Sequence, residues 1–427
     1  MHPWYISFLQ KIQSHANLYE TYQRCTMNTR LTTVQYQDDN TTFIITGDIP
    51  AMWLRDSSMQ VLPYLRFAKD DQMIQSMLKG LIKKQFTFIL KDPYANAFMQ
   101  KDDMVSEHHG DLTEMKKGVW ERKYEVDSLC FPIWLFFQYI KATHDHSVID
   151  ELFWRVINCV IDVWEREQHH ESSPYTFDRL NPYAPHDTLS FGKGTPVSYT
   201  GMTWSGFRPS DDACLYHFNI PANLFASHIL NMVLELSKTF TQDDRLFSRI
   251  HTLNHEIQQG INTYGIIEHP TFGDVYAYEV DGLGHHVLMD DANIPSLLSL
   301  PFLGICEVDD RIYKNTRKMI LSKANPFYVK GVYGQGIGSL HTPKNYVWPI
   351  SICVEGLTSR HIHERFEKIK ILLDTHADTH YMHESFDVDD PSQYTRSWFA
   401  WANSMFSLLV MSVEDDIDEL IQYLNTR

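Results

Sequence analysis

The 427-residue sequence is 43% hydrophobic, enough to bury a large core, and carries a formal net charge of −17. That excess of carboxylates disfavours a nucleic-acid backbone or an anionic membrane as partner, because both are held by clustered Lys and Arg; a neutral partner such as a sugar is unaffected. The six cysteines (Cys25, Cys130, Cys159, Cys214, Cys306 and Cys353) form no CxxC pair, so they read as buried, reduced thiols and not as a disulfide or metal framework.

The opening residues MHPWYISFLQ lack the basic start and apolar core of a signal peptide, and no apolar stretch is long enough to span a bilayer. A cytoplasmic protein with no membrane partner is expected. No Gly/Ser- or Pro-rich linker divides the chain, so a single domain over 1–427 is expected.

Residues 4–24 read as an amphipathic helix, and 42–45 as a short strand. The stretch TGDIPAMWLRDSSMQVLPYLRFA, residues 46–68, then sets a design: a turn, a dense polar set (Asp48, Trp53, Arg55, Asp56, Ser57), and an apolar helix over about 52–68. A partner helix over about 71–90 follows, with apolar residues at helical spacing. The design returns at Glu125-Val126-Asp127 ahead of the apolar run 129–140, whose partner is 145–168. It returns at RPSDDA from Arg208, with a partner at 243–262. The fourth repeat covers 284–304, with Asp290, Asp291 and Asn293 ahead of its apolar run, and its partner is 309–322. The fifth opens with GQGIGSLHTPKNYVW, which carries His341 and Trp348, and its partner is 360–376. The sixth opens at His383-Glu384-Ser385-Phe386, with an apolar helix over 394–411 and an amphipathic end at 414–424.

A helix that is apolar all round is buried, and an amphipathic one lies outside it. Six of each, alternating, predict an all-α, double-layered (α/α)6 toroid. The polar clusters that precede the inner helices then gather in one funnel. Carboxylates beside Trp and Tyr suit carbohydrate: sugar hydroxyls need acceptors, and pyranose faces pack on aromatic rings. Hydrolysis of a glycosidic bond needs two carboxyl groups flanking it.

Plainer roles compete at several positions. Asp211 and Asp212 precede a helix, where one of them would serve as a cap. Glu384 sits in a loop, where a solvated Glu is the common case. Trp398 and Trp401 lie on a helical stripe and read as core. The histidine pairs lack metal-ligand spacing, and no HExxH is present. No metal and no cofactor is expected, with calcium on the acidic loops the stronger of the two metal alternatives.

At TGDIPAMWLRDSSMQVLPYL, YEVDSL, TWSGFRPSDDA, MDDANIPSL and HESF the chain resembles glycoside hydrolase family 125, from about residue 28 to 409. The resemblance implies an exo-acting α-1,6-mannosidase, inverting and metal-independent, acting on mannose-terminated oligosaccharides or N-glycan fragments. It places the general acid in RPSDDA, on Asp211 with Asp212 as the alternative, and the general base on Glu384 in HESF. It further implies that Arg55, Asp56, Glu125, Asp127, Arg208 and the segment with Asp290, Asp291 and Asn293 line the subsite for the terminal sugar; Trp53, Asp212, His341 and Trp348 are expected to bind the sugar beside them. Neighbouring Asp212 is expected to raise the pKa of Asp211. A glucoamylase-like toroidal glycosidase and a catalytically silent sugar-binding toroid are the competing readings.

Overall fold

The computed structural model describes residues 2–240 and 243–426. Two helices, α1 (Pro3–Ile12) and α2 (Ala16–Asn28), replace the single one expected over 4–24. His15 restarts the chain by accepting the Leu18 amide on its ring Nδ1. The first inner helix is also split, into α3 (Leu54–Gln60) and α4 (Leu62–Leu65). Pro63 lacks the N–H that a continuous helix would need there.

The remaining helices alternate between an inner and an outer layer. They are α5 (Gln72–Lys91), α6 (Val126–Thr143), α7 (Glu151–Glu167), α8 (Ile220–Phe240), α9 (Asp244–Gly260), α10 (Arg311–Ile320), α11 (Pro349–Leu357), α12 (Ile362–Asp374), α13 (Ala400–Met411) and α14 (Ile417–Thr426). Around the inner ring α13 packs on α3, α3 on α6, α6 on α8, and α11 on α13.

The fourth inner position is not a helix. Residues 294–304 run through consecutive turns. Ser296 and Ser299 bond each other's amides, and both Asp290 oxygens accept backbone amides, from Leu297 at 2.8 Å and Leu298 at 2.9 Å. Side-chain partners of this kind compete with the helical ladder, and Pro295 and Pro301 remove two of its donors. The segment still fills its sector: the Trp134 indole of α6 donates to the Leu303 carbonyl, and Phe302 packs against the same ring. The architecture is the expected (α/α)6 toroid, with five helical inner walls and one built of turns.

The two layers start differently. Four outer helices open on Asp caps: Asp71, Asp150, Asp243 and Asp310 each accept amides of the first turn, whereas α12 follows His361, which does not cap. The inner helices α3, α6, α11 and α13 follow Trp53, Glu125, Trp348 and Phe399, none of which caps with its side chain. Their first amides are met by other segments instead, Leu54 by the Asn96 carbonyl, Val126 by the Ser205 hydroxyl and Ala400 by the Thr46 carbonyl, and their positive dipole ends face one end of the toroid. Short sheets brace that end. Tyr346–Val347 pairs with Ser385–Asp387, which pairs with Tyr394–Thr395, and Met52–Trp53 pairs with Ala97–Phe98. Among the described residues no helix is long and apolar enough to cross a membrane.

Candidate active site

A cavity of about 230 Å³ opens at this end of the toroid. Five of the six repeats line it: Thr46, Ile49, Trp53, Arg55 and Asp56; Pro209, Ser210 and Asp211; Asn293; His341, Thr342 and Trp348; and Glu384, Thr395, Arg396, Phe399 and Trp401. The second repeat contributes from behind.

Arg55 is the organising charge. Its guanidinium is buried and reaches four carboxylates: Glu125 at 2.7 Å, Asp211 at 3.1 Å, Asp127 at 3.2 Å and Asp56 at 3.6 Å. Buried carboxylates need such a partner, because desolvation penalises their charge heavily. The balance differs at each. Burial pushes Asp56 and Asp127 up to about 6 against the pull of Arg55. Burial also lifts Glu125 well above the usual carboxylate range, and its acidic neighbours Asp211 and Asp127 add to this.

Asp211 goes the other way. Burial would raise it, but Arg55, a hydrogen bond with Glu125, Lys123 and His341 together hold it below its usual range. The expectation that Asp212 would raise Asp211 is thereby overturned. The surroundings thus favour the neutral form at Glu125 and the anion at Asp211. Asp211 adopts a left-handed backbone at φ +66°, and its carboxylate is the more exposed of the doublet, at 22% against 3% for Asp212. Asp212 is turned inward, accepting from Ser210 at 2.8 Å and from the His341 Nδ1 at 3.3 Å. Burial opposes charge on His341, but Asp212, Glu384 and Asp211 outweigh it and lift the imidazole to about 9.

Other expected sugar contacts stand behind the wall. Arg208 is buried in a two-point pair with Glu279, at 2.5 and 3.0 Å. Asp290 is consumed by the backbone of the fourth repeat, and Asp291 holds Asn293 and Ser339. Of that trio only Asn293 lines the cavity. Trp401, expected in the core, is almost wholly buried and also lines the cavity, with the Arg55 guanidinium 5.8 Å from its ring centre. Arg396 lines it too and was missed. It lies just after the short strand Tyr394–Thr395 and ahead of α13, and no spacing rule marks that position.

Among the described residues no group of three or more His, Cys, Asp and Glu is arranged to hold a metal ion. Asp56, Glu125, Asp127 and Asp211 already share the Arg55 cation.

The raised carboxylates make stability depend on pH. Asp56 titrates near 6 when folded, against roughly 3.9 unfolded. Its neutral form therefore favours the fold below about 3.9, and that contribution is lost as pH rises through 6. Asp56→Asn deletes this titration. The melting temperature of the native chain should drop more between pH 5 and pH 8 than that of the variant, measured by calorimetry. Equal drops would contradict the assignment.

A family profile described as metal-independent α-mannosidase (GH125) matches residues 15–411. The meiotically up-regulated gene 157 protein of Schizosaccharomyces pombe is 38% identical over 424 residues, covering 93% of this chain and 82% of that protein. A solved structure of a metal-independent α-mannosidase from Streptococcus pneumoniae, in a non-productive complex with α-1,6-mannobiose, superposes with a TM-score of 0.94. It is 43% identical, over 96% of this chain and 97% of the other. The neutral trehalase Nth1 of Saccharomyces cerevisiae shares the fold at 11% identity and a TM-score of 0.55, over 95% of this chain and 82% of its own.

Proposed function

Because the chain belongs to the metal-independent α-mannosidases of glycoside hydrolase family 125, and is therefore a glycoside hydrolase, we propose that it removes terminal α-1,6-linked mannose from non-reducing ends with inversion at the anomeric carbon. The observation that carries this reading is that Asp211 and Glu384, from the third and sixth repeats, line one small cavity walled by Trp53, Trp348 and Trp401. A cavity of that size suits one terminal sugar held against aromatic faces, and so exo action. The linkage is supported by the 43% identical relative, whose complex contains α-1,6-mannobiose.

Asp211 is the general acid in this proposal and Glu384 the general base. The base deprotonates a water that attacks the anomeric carbon, while the acid protonates the departing oxygen. Inversion requires the two carboxyl groups to stand roughly 6.5–9.5 Å apart, leaving room for that water. The resting site favours the Asp211 anion, so the acid role requires that substrate binding favour its neutral form. A neutral sugar that displaces water from the cavity disfavours the Asp211 charge, and Glu125, whose surroundings favour its neutral form, is an adjacent proton source. Asn293, His341 and Trp348 would hold the sugar directly, with Asp127, Asp291 and Asp212 fixing them or Arg55 from behind. The substrates would be short mannose-terminated oligosaccharides in the cytoplasm.

An assay of purified protein against α-1,2-, α-1,3-, α-1,4- and α-1,6-linked mannobioses and matched glucosides tests the reading. Release from the α-1,6 mannobioside is expected, unchanged by EDTA, with β-mannose as the first anomer seen by NMR. Initial α-mannose would sink the inverting mechanism. Preference for a glucoside would favour a glucoamylase-like activity, and no release from any substrate would favour a sugar-binding toroid.

A further inference from the structure

The first and sixth repeats meet at a seam that ends on Glu384. The seam is zipped by backbone bonds: the Ala400 amide donates to the Thr46 carbonyl at 3.1 Å, and the Asp48 amide to the Trp398 carbonyl at 3.3 Å. Gly47 permits the approach. It sits at φ +140°, and a Cβ there would lie 2.4 Å from the Trp398 oxygen. The consequence is that Asp48, 348 residues from Arg396 in sequence, comes to grip it. The Arg396 Nε donates to Asp48 at 3.0 and 3.2 Å, and its Nη2 at 2.5 Å. The Phe399 ring lies against the guanidinium, 4.6 Å from its centre. On its far side the Arg396 Nη1 donates to Glu384 Oε1 at 3.4 Å. Asp48 is not among the cavity-lining residues.

We propose that Asp48 and Arg396 are positioning residues that hold the Glu384 carboxylate for attack on the sugar, so that closure of the toroid itself sets the base. A two-point grip plus a ring contact removes the rotational freedom of Arg396 that would otherwise be lost at each turnover. The donated bond occupies Oε1, which leaves Oε2 for the attacking water. Phe399 and Asp48 are contributed by opposite sides of the seam, so a loosened seam frees Arg396 and with it Glu384. The proposal rests on Glu384 as general base.

The test is Asp48→Asn, which keeps shape and removes charge, assayed on an α-1,6-mannobioside. A kcat fall of about tenfold or more is expected, with KM within about twofold, an unshifted melting temperature, and recovery in Asp48→Glu. In the Arg396→Met background Asp48→Asn should cost nothing further, because the two act through one contact. A kcat within twofold of the native chain would overturn the proposal. A raised KM at constant kcat would overturn it as well, since that marks a plain substrate contact. Glu384→Gln run in parallel separates the two levels: retained turnover there would defeat the assignment of the base, whereas its loss with an unaffected Asp48→Asn would defeat only the positioning role.

Discussion

Glu384→Gln is expected to lower kcat by about 10²–10⁴, the usual worth of general acid or base assistance, with the fold intact. The side chain is almost fully buried and accepts a hydrogen bond from Arg396. The amide preserves volume, and no packed neighbour is lost. Asp211→Asn should cause a fall of the same order, because an amide cannot pass a proton to the departing oxygen. Asp212→Asn is the discriminating control. Asp212 is buried against Ser210 and His341, so its loss should act through those contacts, with KM and the pH profile moving and kcat losing less. Near-native turnover in Asp211→Asn with a collapse in Asp212→Asn would move the acid to Asp212. The readout is steady-state kinetics with an activated mannoside beside the natural linkage: an activated leaving group needs little protonation, so a true acid variant recovers on it and a base variant does not.

Arg55→Met should be the most destabilising single change at the site. It leaves Asp56, Glu125, Asp127 and Asp211 buried around a missing cation. Removing one member of a buried charge cluster typically costs about 3–5 kcal/mol, measured here by urea denaturation. The sign with pH is fixed. Without Arg55 these carboxylates rise further, so the fold increasingly needs them neutral. The deficit should therefore be smaller at pH 5 than at pH 8. Adding Glu125→Gln should recover part of it at pH 8, since a carboxyl that would otherwise have to stay protonated or ionise in the interior is replaced by a neutral group of the same volume. A deficit under about 1 kcal/mol would mean that water already reaches these groups, because exposed pairs are worth about that little.

Arg55 answers a cost that exists in the resting protein, whereas Glu384 and Asp211 answer one that arises only during reaction. Burial accordingly works against charge both behind the wall, at Glu125 and Asp127, and in the lining, at Asp56.

Hydrophobic periodicity and the recurrence of polar clusters before apolar runs were enough to read the toroid and the end at which the polar residues gather. Both are local: a helix apolar all round must be buried whatever its neighbours, and α6, α8 and α13 obeyed. The fourth repeat did not, because Ser296, Ser299 and Asp290 bonded the backbone in place of a helical ladder, a competition that apolar spacing does not register. Charge was the less legible property. The doublet Asp211-Asp212 and the motif around Glu384 stand out in sequence, but the direction in which Asp211 titrates depends on Arg55 and Glu125, brought to it from other repeats. Arg208 and Arg55 look alike as arginines beside acidic residues; only the fold gives one a single partner, Glu279, and the other four. Asp48 and Arg396 are furthest from legibility, since their pairing exists only where the first and last repeats close the ring. What a residue type and its spacing can do is written locally; which carboxylate keeps its proton, and which arginine faces the cavity, is settled by long-range contacts, because Coulomb energy and desolvation depend on distance and burial and not on order along the chain.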